Sequence, residues 1–218
     1  MPRLVTISAS YGAGGSVVAP EVASRLGFPF FDRAVPAGGP VVGPENVVEQ
    51  PEDDAGPEGA AEEERTEGRL ARMLARFAAV PDPLAMSPAG EVTRFRDDAL
   101  RDEAEARVRE FARSDGVILG WGSTIVVEDA FHVRLDGPVG ARLRQGMRIE
   151  NRSESEARER LENTDKTREL YIKRMYGRDW RDVMLYQLVL DSTALSLDVC
   201  ADLIVRAARA YWSGVRPG

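Results

Sequence analysis

The chain opens on an apolar run, Leu4 to Ser8, in which β-branched and small residues alternate, and a glycine-rich stretch follows it. Val18, Val22 and Leu26 then recur at i, i+4 and i+8, which places them on one face of a helix. Pro20 falls near the first turn of that helix, where a missing N–H is tolerated better than deeper in. A second short apolar run, Phe28 to Phe31, ends at Asp32 and completes a strand, helix, strand unit. Three more short apolar runs read as buried strands: Gly116 to Gly120 (GVILG), Phe131 to Leu135 (FHVRL) and Tyr186 to Asp191 (YQLVLD), with helical sequence between them. This alternation predicts an α/β fold, a parallel sheet covered by helices on both faces.

The pattern stops over residues 34–66. That stretch (it contains EQPEDDAGPEGAAEEER) is rich in Pro, Gly, Glu and Asp and nearly devoid of large side chains, which predicts a solvated, flexible insertion. Its acidity also makes it a candidate surface for a basic protein partner. Beyond it, Leu70, Met73, Leu74 and Phe77 predict one amphipathic helix, and Val92, Phe95, Ala99, Ala104, Val108 and Phe111 a longer second one. Both belong to a helical flap or cover region over 67–114. A length of 218 residues fits a single domain, 1–218.

Composition narrows the partners. A net charge of -7 provides no broad attraction to nucleic acid or anionic membrane, so neither is expected as a partner. No apolar run approaches the roughly 18 residues that a bilayer demands, and no leader pattern precedes the first strand, so the expectation is a cytoplasmic protein. Cys200, the single cysteine, lies in LDVCADLIV and is expected to be a buried, inert thiol. A monomer and a homodimer both remain open. His132, the single histidine, sits mid-strand without a second histidine or a cysteine nearby, so a packed or hydrogen-bonded role is expected rather than zinc ligation.

The chemistry concentrates in SASYGAGGSVV. Gly12, Gly14 and Gly15 let the backbone turn sharply and approach an anion without a Cβ, while the N–H groups of the following helix point toward it. The dinucleotide fingerprint GxGxxG fails at Val17, and the mononucleotide pattern GxxxxGK[ST] fails because no lysine precedes Lys166. A main-chain phosphate nest and a glycine-rich turn without a ligand are both compatible with the loop alone.

The stretch VTISASYGAGGSVVAPEVASRLGFPFFDR resembles the opening of the cytidylate kinase-like family, which reads close to ISREYGSGGRxIA, a helix ending in LG, and a YDR-like strand end. The resemblance returns in GVILGWGSTIVVEDAFHVRLDGP, in ENTDKTRELYIKRMYGRDW and in YQLVLDSTALSLD, and skips the acidic middle. It implies a nucleoside monophosphate kinase-like P-loop fold: a three-layer α/β/α arrangement with a five-stranded parallel sheet, a helical flap, and a helical lid over 142–180. It also implies ATP and Mg²⁺ as cofactors, the ion bridging phosphates without a dedicated protein metal site, and a small nucleotide acceptor, CMP by default. Position by position, Gly12, Ala13, Gly14, Gly15 and Ser16 would cradle the donor phosphates with Tyr11 beside them. Asp32 and Arg33 would face the acceptor, with Arg148 among the residues that could supply charge there. Arg142 leads into the lid, Asp165 and Arg168 match the lid's DxxR spacing, and Asp191 lies near the donor base.

Phosphoryl transfer requires in-line positioning and fixed positive charge, which the planar, permanently protonated guanidinium supplies well. At i, i+3 on a helix, Asp165 would orient Arg168 toward the nucleotide, unless the two form an ordinary surface ion pair. The chain departs from the family at Ala9, Ser16 and Trp121, where arginine is common. Ser16 retains a hydroxyl for phosphate or Mg²⁺, or serves as a helix N-cap. Three functions therefore stand: a nucleoside monophosphate kinase, a non-catalytic nucleotide-binding or interaction module on the same fold, and a kinase of some other metabolite.

Overall fold

The computed structural model describes residues 1–32, 102, 105–120 and 122–214. Arg33, Trp121, the acidic stretch 34–66 and the rest of the flap region as far as residue 101 lie outside them. In chain order the elements are β1 (Leu4–Ala9), α1 (Gly15–Leu26), β2 (Phe30–Asp32), β3 (Gly116–Leu119), α2 (Ser123–Val126), β4 (Phe131–Asp136), α3 (Val139–Glu150), α4 (Glu154–Tyr176), β5 (Leu188–Asp191) and α5 (Leu197–Trp212). Residues 105–111 are helical as well and precede β3. The strands form a five-stranded parallel sheet in the order β2-β3-β1-β4-β5.

β1 is central and buried along its whole length. Its two faces feed two cores, as alternation requires. Val5, Ile7 and Ala9 pack with Val18 and Val22 of α1 and with Cys200, Ile204 and Val205 of α5. On the opposite face Leu4 packs with Val108, Ile118 and Val127, and Phe111 leans against this cluster. Full burial of side chains such as Ile7 and Ile204 contributes about 1.5–3 kcal/mol each. No described helix is long and apolar enough to cross a membrane.

Element ends follow local hydrogen bonding. β2 starts at Phe30 rather than Phe28, because Gly27, left-handed at φ 69°, caps α1 and Phe28 N–H donates to the Ala23 carbonyl at 2.9 Å. Pro20 is the sixth helical residue, past the first turn where the sequence pattern puts it, because α1 begins at Gly15. Its missing N–H leaves the carbonyl of exposed Ser16 without the usual i+4 donor.

His132 is buried in β4, its Nδ1 2.6 Å from the Thr6 hydroxyl, and its N–H donates to Gln187 Oε1 at 2.7 Å. Burial pushes its pKa down to about 4, against a smaller opposing hydrogen bond with the Glu128 backbone. The unfolded chain therefore binds more protons below pH 6.5. Stability is expected to be complete above about pH 6.5 and to fall by about 3 kcal/mol as the pH drops toward 4. Urea unfolding from pH 7.5 to 4 measures this, and the fall attributable to His132 should disappear in His132→Gln.

Candidate functional site

Every strand delivers its C-terminal end to one edge of the sheet, where ligands of open α/β folds bind. There β1 hands over to the loop Ser10–Gly14 and α1. Ser10 N–H extends the ladder to the Leu135 carbonyl at 3.1 Å, and Ala13 N–H donates to the Ser10 carbonyl at 3.0 Å, closing a turn. Gly12 (φ 72°) and Gly14 (φ 73°) take the left-handed conformation that such a turn demands. A Cβ on Gly12 would lie 2.0 Å from the Arg142 carbonyl oxygen, so the loop touches α3 backbone to backbone.

Gly14 is the N-cap of α1, offers no side-chain cap, and no acidic residue follows in the first turn. The leading N–H groups of a helix have no partner within it, so Gly15 and Ser16 present donors at the positive end of an uncompensated helix dipole. Ser16 is exposed in the first turn and is not the N-cap. The carbonyl side of the loop is braced instead: the Ser192 hydroxyl donates to the Ala13 carbonyl at 2.7 Å and Gln145 Nε2 to the Gly12 carbonyl at 3.0 Å.

Three arginines converge behind this loop. Arg142 is buried and donates through Nη1 to the Tyr11 carbonyl and to Asp165 Oδ2, both at 2.8 Å, and through Nε to the Gly137 carbonyl at 3.0 Å. Asp165 also accepts from Tyr11 N–H at 3.0 Å. The carboxylate that spacing pairs with Arg168 thus directs its oxygens to Arg142 and the loop. Arg168, partly buried overall and with its Nε buried, donates to the Ala9 carbonyl. Burial, with the Arg142 and Arg134 charges, lowers its pKa to about 10 against the opposing pull of Asp165 and Asp32. It therefore remains a fixed cation at neutral pH, within electrostatic reach of the tip of β2.

Arg134, mid-β4 and buried, donates to the Trp180 carbonyl at 2.9 Å, to Asp136 Oδ2 at 2.6 Å and to the Ser10 hydroxyl at 3.3 Å. Its guanidinium stacks 4.1 Å from the Trp180 ring centroid. Burial alone would raise the Asp136 carboxyl, but hydrogen bonds from Arg134 and Ser10 hold it below the usual range. Beside this cluster a cavity of about 10 Å³, room for a single water, is lined by Ser8, Thr124, Arg168, Ile172, Trp180 and Tyr186.

The remaining predicted site residues lie further out. Asp191 ends β5 and accepts from Thr193 N–H at 2.9 Å, from the Thr193 hydroxyl at 2.6 Å and from Ala194 N–H at 3.2 Å, which lowers its pKa. Arg148 is exposed on α3, off the face that carries Arg142, Gln145 and Gly146 to the loop. Tyr11, expected beside the donor phosphates, turns its ring into the apolar cluster of α3 and α4. Ser10, Arg134, Asp136 and Gln145 escape the sequence reading. The legible signal was a cation, Arg134, in the middle of an otherwise apolar strand.

A sequence model of the cytidylate kinase-like family matches residues 4–194. The chain belongs to the cytidylate kinase-like family. Comparison with curated protein sequences gives no match. Among solved structures, an uncharacterized protein from Eubacterium ventriosum shares 16% identity, covers 95% of this chain and 99% of its own, and has a TM-score of 0.60. This similarity shows the fold. A gluconokinase from Sinorhizobium meliloti (16% identity, 99% of this chain and 98% of that one, TM-score 0.48) is also similar. So is a shikimate kinase from Acinetobacter baumannii (14% identity, 99% and 97%, TM-score 0.45). The observed architecture is that of the family's P-loop kinase-like fold, with helices on both faces of the parallel sheet.

Proposed function

We propose that the chain is an ATP-dependent nucleoside monophosphate kinase, with CMP as the acceptor. The observation that carries this reading is the convergence of guanidinium groups from β4, α3 and α4 on residues 9–11, behind a helix N-terminus that no side chain caps. The residues present fit a nucleotide's phosphates: main-chain donors lead at the start of α1, no side chain caps them, and no acidic residue stands in the first turn. Bound Mg-ATP supplies the transferable phosphoryl group and a divalent charge across its phosphates.

The division of labour follows from the hydrogen bonds. Gly14, Gly15 and Ser16 hold the donor phosphates through N–H groups, and the exposed Ser16 hydroxyl is available to phosphate or ion. Arg168 supplies, at the end of β1, the positive charge that positions 9 and 16 on either side of the loop lack. Asp32 stands at the acceptor end. Arg142, whose donors reach protein oxygens, sets the loop's shape with Asp165.

The uncharged loop positions favour one rival, a nucleotide-binding module without turnover. Incubating the full chain with Mg-ATP and CMP, UMP, AMP or GMP, and following diphosphate formation, separates the two. Turnover with CMP is expected, and it should drop by about 100-fold or more in Arg168→Ala. Mg-ATP binding without turnover selects the module, and thermal stabilisation by no nucleotide overturns both.

A further inference from the structure

All the polar atoms of Tyr11 are committed to the α3–α4 hairpin. Its N–H donates to Asp165 Oδ1 at 3.0 Å, its carbonyl accepts from Arg142 Nη1 at 2.8 Å, and its hydroxyl donates to Glu150 Oε2 at 3.0 Å. Its ring completes the hairpin's apolar cluster with Leu143, Ala157 and Leu161, and lies so close to Gly146 that a Cβ there would come within 2.9 Å of it. Glu150 ends α3, beside the left-handed Asn151 that turns the chain toward α4, and pairs with Arg152 at 3.3 Å and Arg160 at 3.1 Å.

We propose that Tyr11 is a positioning residue that couples the phosphate loop to the hairpin carrying Arg168, so that seating an anion in the loop and docking the hairpin are one event. The proposal rests on the nucleotide-binding reading above. Its physical basis is that a residue in the loop supplies a wall of the hairpin's own small core. Moving the loop then requires either dragging α3 and α4 along or opening Leu143, Ala157 and Leu161 to water. The hydroxyl adds a hydrogen bond to an ionised carboxylate at the turn between the helices, and burial with the nearby Glu150 charge raises the phenol's pKa so that it stays a donor.

Hydrogen exchange of the full chain with and without Mg-ADP tests this. In the wild type, ligand is expected to slow exchange both in residues 12–18 and along α3 and α4. In Tyr11→Phe, which keeps the ring in place, slowing in α3 and α4 should drop about tenfold while residues 12–18 remain protected, since one hydrogen bond to a charged group is worth about that factor. Kinetically, kcat should fall more than the KM for ATP rises, because Arg168 arrives less often while the loop amides still bind. Glu150→Gln, which keeps an acceptor oxygen opposite the hydroxyl, should fall short of the Tyr11→Phe loss. A purely structural role would lower stability without separating the two protection patterns. Wild-type protection confined to residues 12–18, or Tyr11→Phe behaving as wild type, overturns the coupling alone. No protection anywhere overturns the nucleotide-binding reading with it.

Discussion

Gly12→Ala is expected to weaken Mg-ATP binding at least about 100-fold, whereas Gly27→Ala should leave it unchanged. Both glycines hold nearly the same left-handed backbone, φ 72° and φ 69°, so both variants incur the same strain of about 1–2 kcal/mol. They differ in surroundings. A Cβ on Gly27 meets nothing within 4 Å, while one on Gly12 would be 2.0 Å from the Arg142 carbonyl oxygen. A helix backbone cannot yield by rotating a side chain, so α3 must retreat, taking with it the Gln145 bond to Gly12 and the Arg142 bond to Tyr11. Displacement on the order of 1 Å in a phosphate site is commonly worth about 100-fold. Titration calorimetry of both variants reads the affinities, and thermal unfolding reads the shared strain. Equal affinities would show that the contact between loop and α3 does not shape the site.

Arg168→Ala is the second large effect: kcat is expected to fall by about 100-fold or more while the fold survives. Its guanidinium lies among the charges of Arg134, Arg142, Asp165 and Asp32, at the carbonyl where β1 becomes the loop. Removing one fixed charge of this kind commonly costs that factor in rate. Arg168→Lys should recover only part of it, because an ammonium keeps the charge but not the planar fork that binds two oxygens. Single-turnover measurements at saturating Mg-ATP separate this loss from weaker binding. A mutant with wild-type kcat would assign the charge elsewhere, and Arg142 and Arg134 are the buried cations within its electrostatic reach.

β1, β3 and β4 were legible because burial on both faces leaves continuous apolar runs, whereas YQLVLD, read as a buried strand from Tyr186, is the half-exposed edge strand β5 that starts at Leu188. GVILG and FHVRL fall on β3 and β4 to within one residue. The loop was legible because left-handed backbone and close approach demand glycine, and Gly12 and Gly14 serve both. The long-range partners of Asp165 were not. It acts electrostatically on Arg168 of the same helix, and its oxygens also accept from Tyr11 N–H and Arg142, 154 and 23 positions away. A local spacing rule sees only neighbours on the same helix, and a long side chain such as Arg142 chooses among acceptors that tertiary packing brings near. The direction of the Tyr11 ring was not legible for a related reason: its position beside the glycines says where its backbone lies, not that its ring packs against α3 and α4.

Ala9 and Ser16, the last residue of β1 and the second of α1 on either side of the loop, are not equivalent targets for introducing a cation. The Ala9 methyl belongs to the core between sheet and α1, and a Cβ on Gly15 would already sit 2.6 Å from it, so a longer side chain there would pry the first helix off its strand. Ser16 faces solvent on the opening turn of α1. Of the two, only position 16 can take on an arginine without breaching the sheet's core.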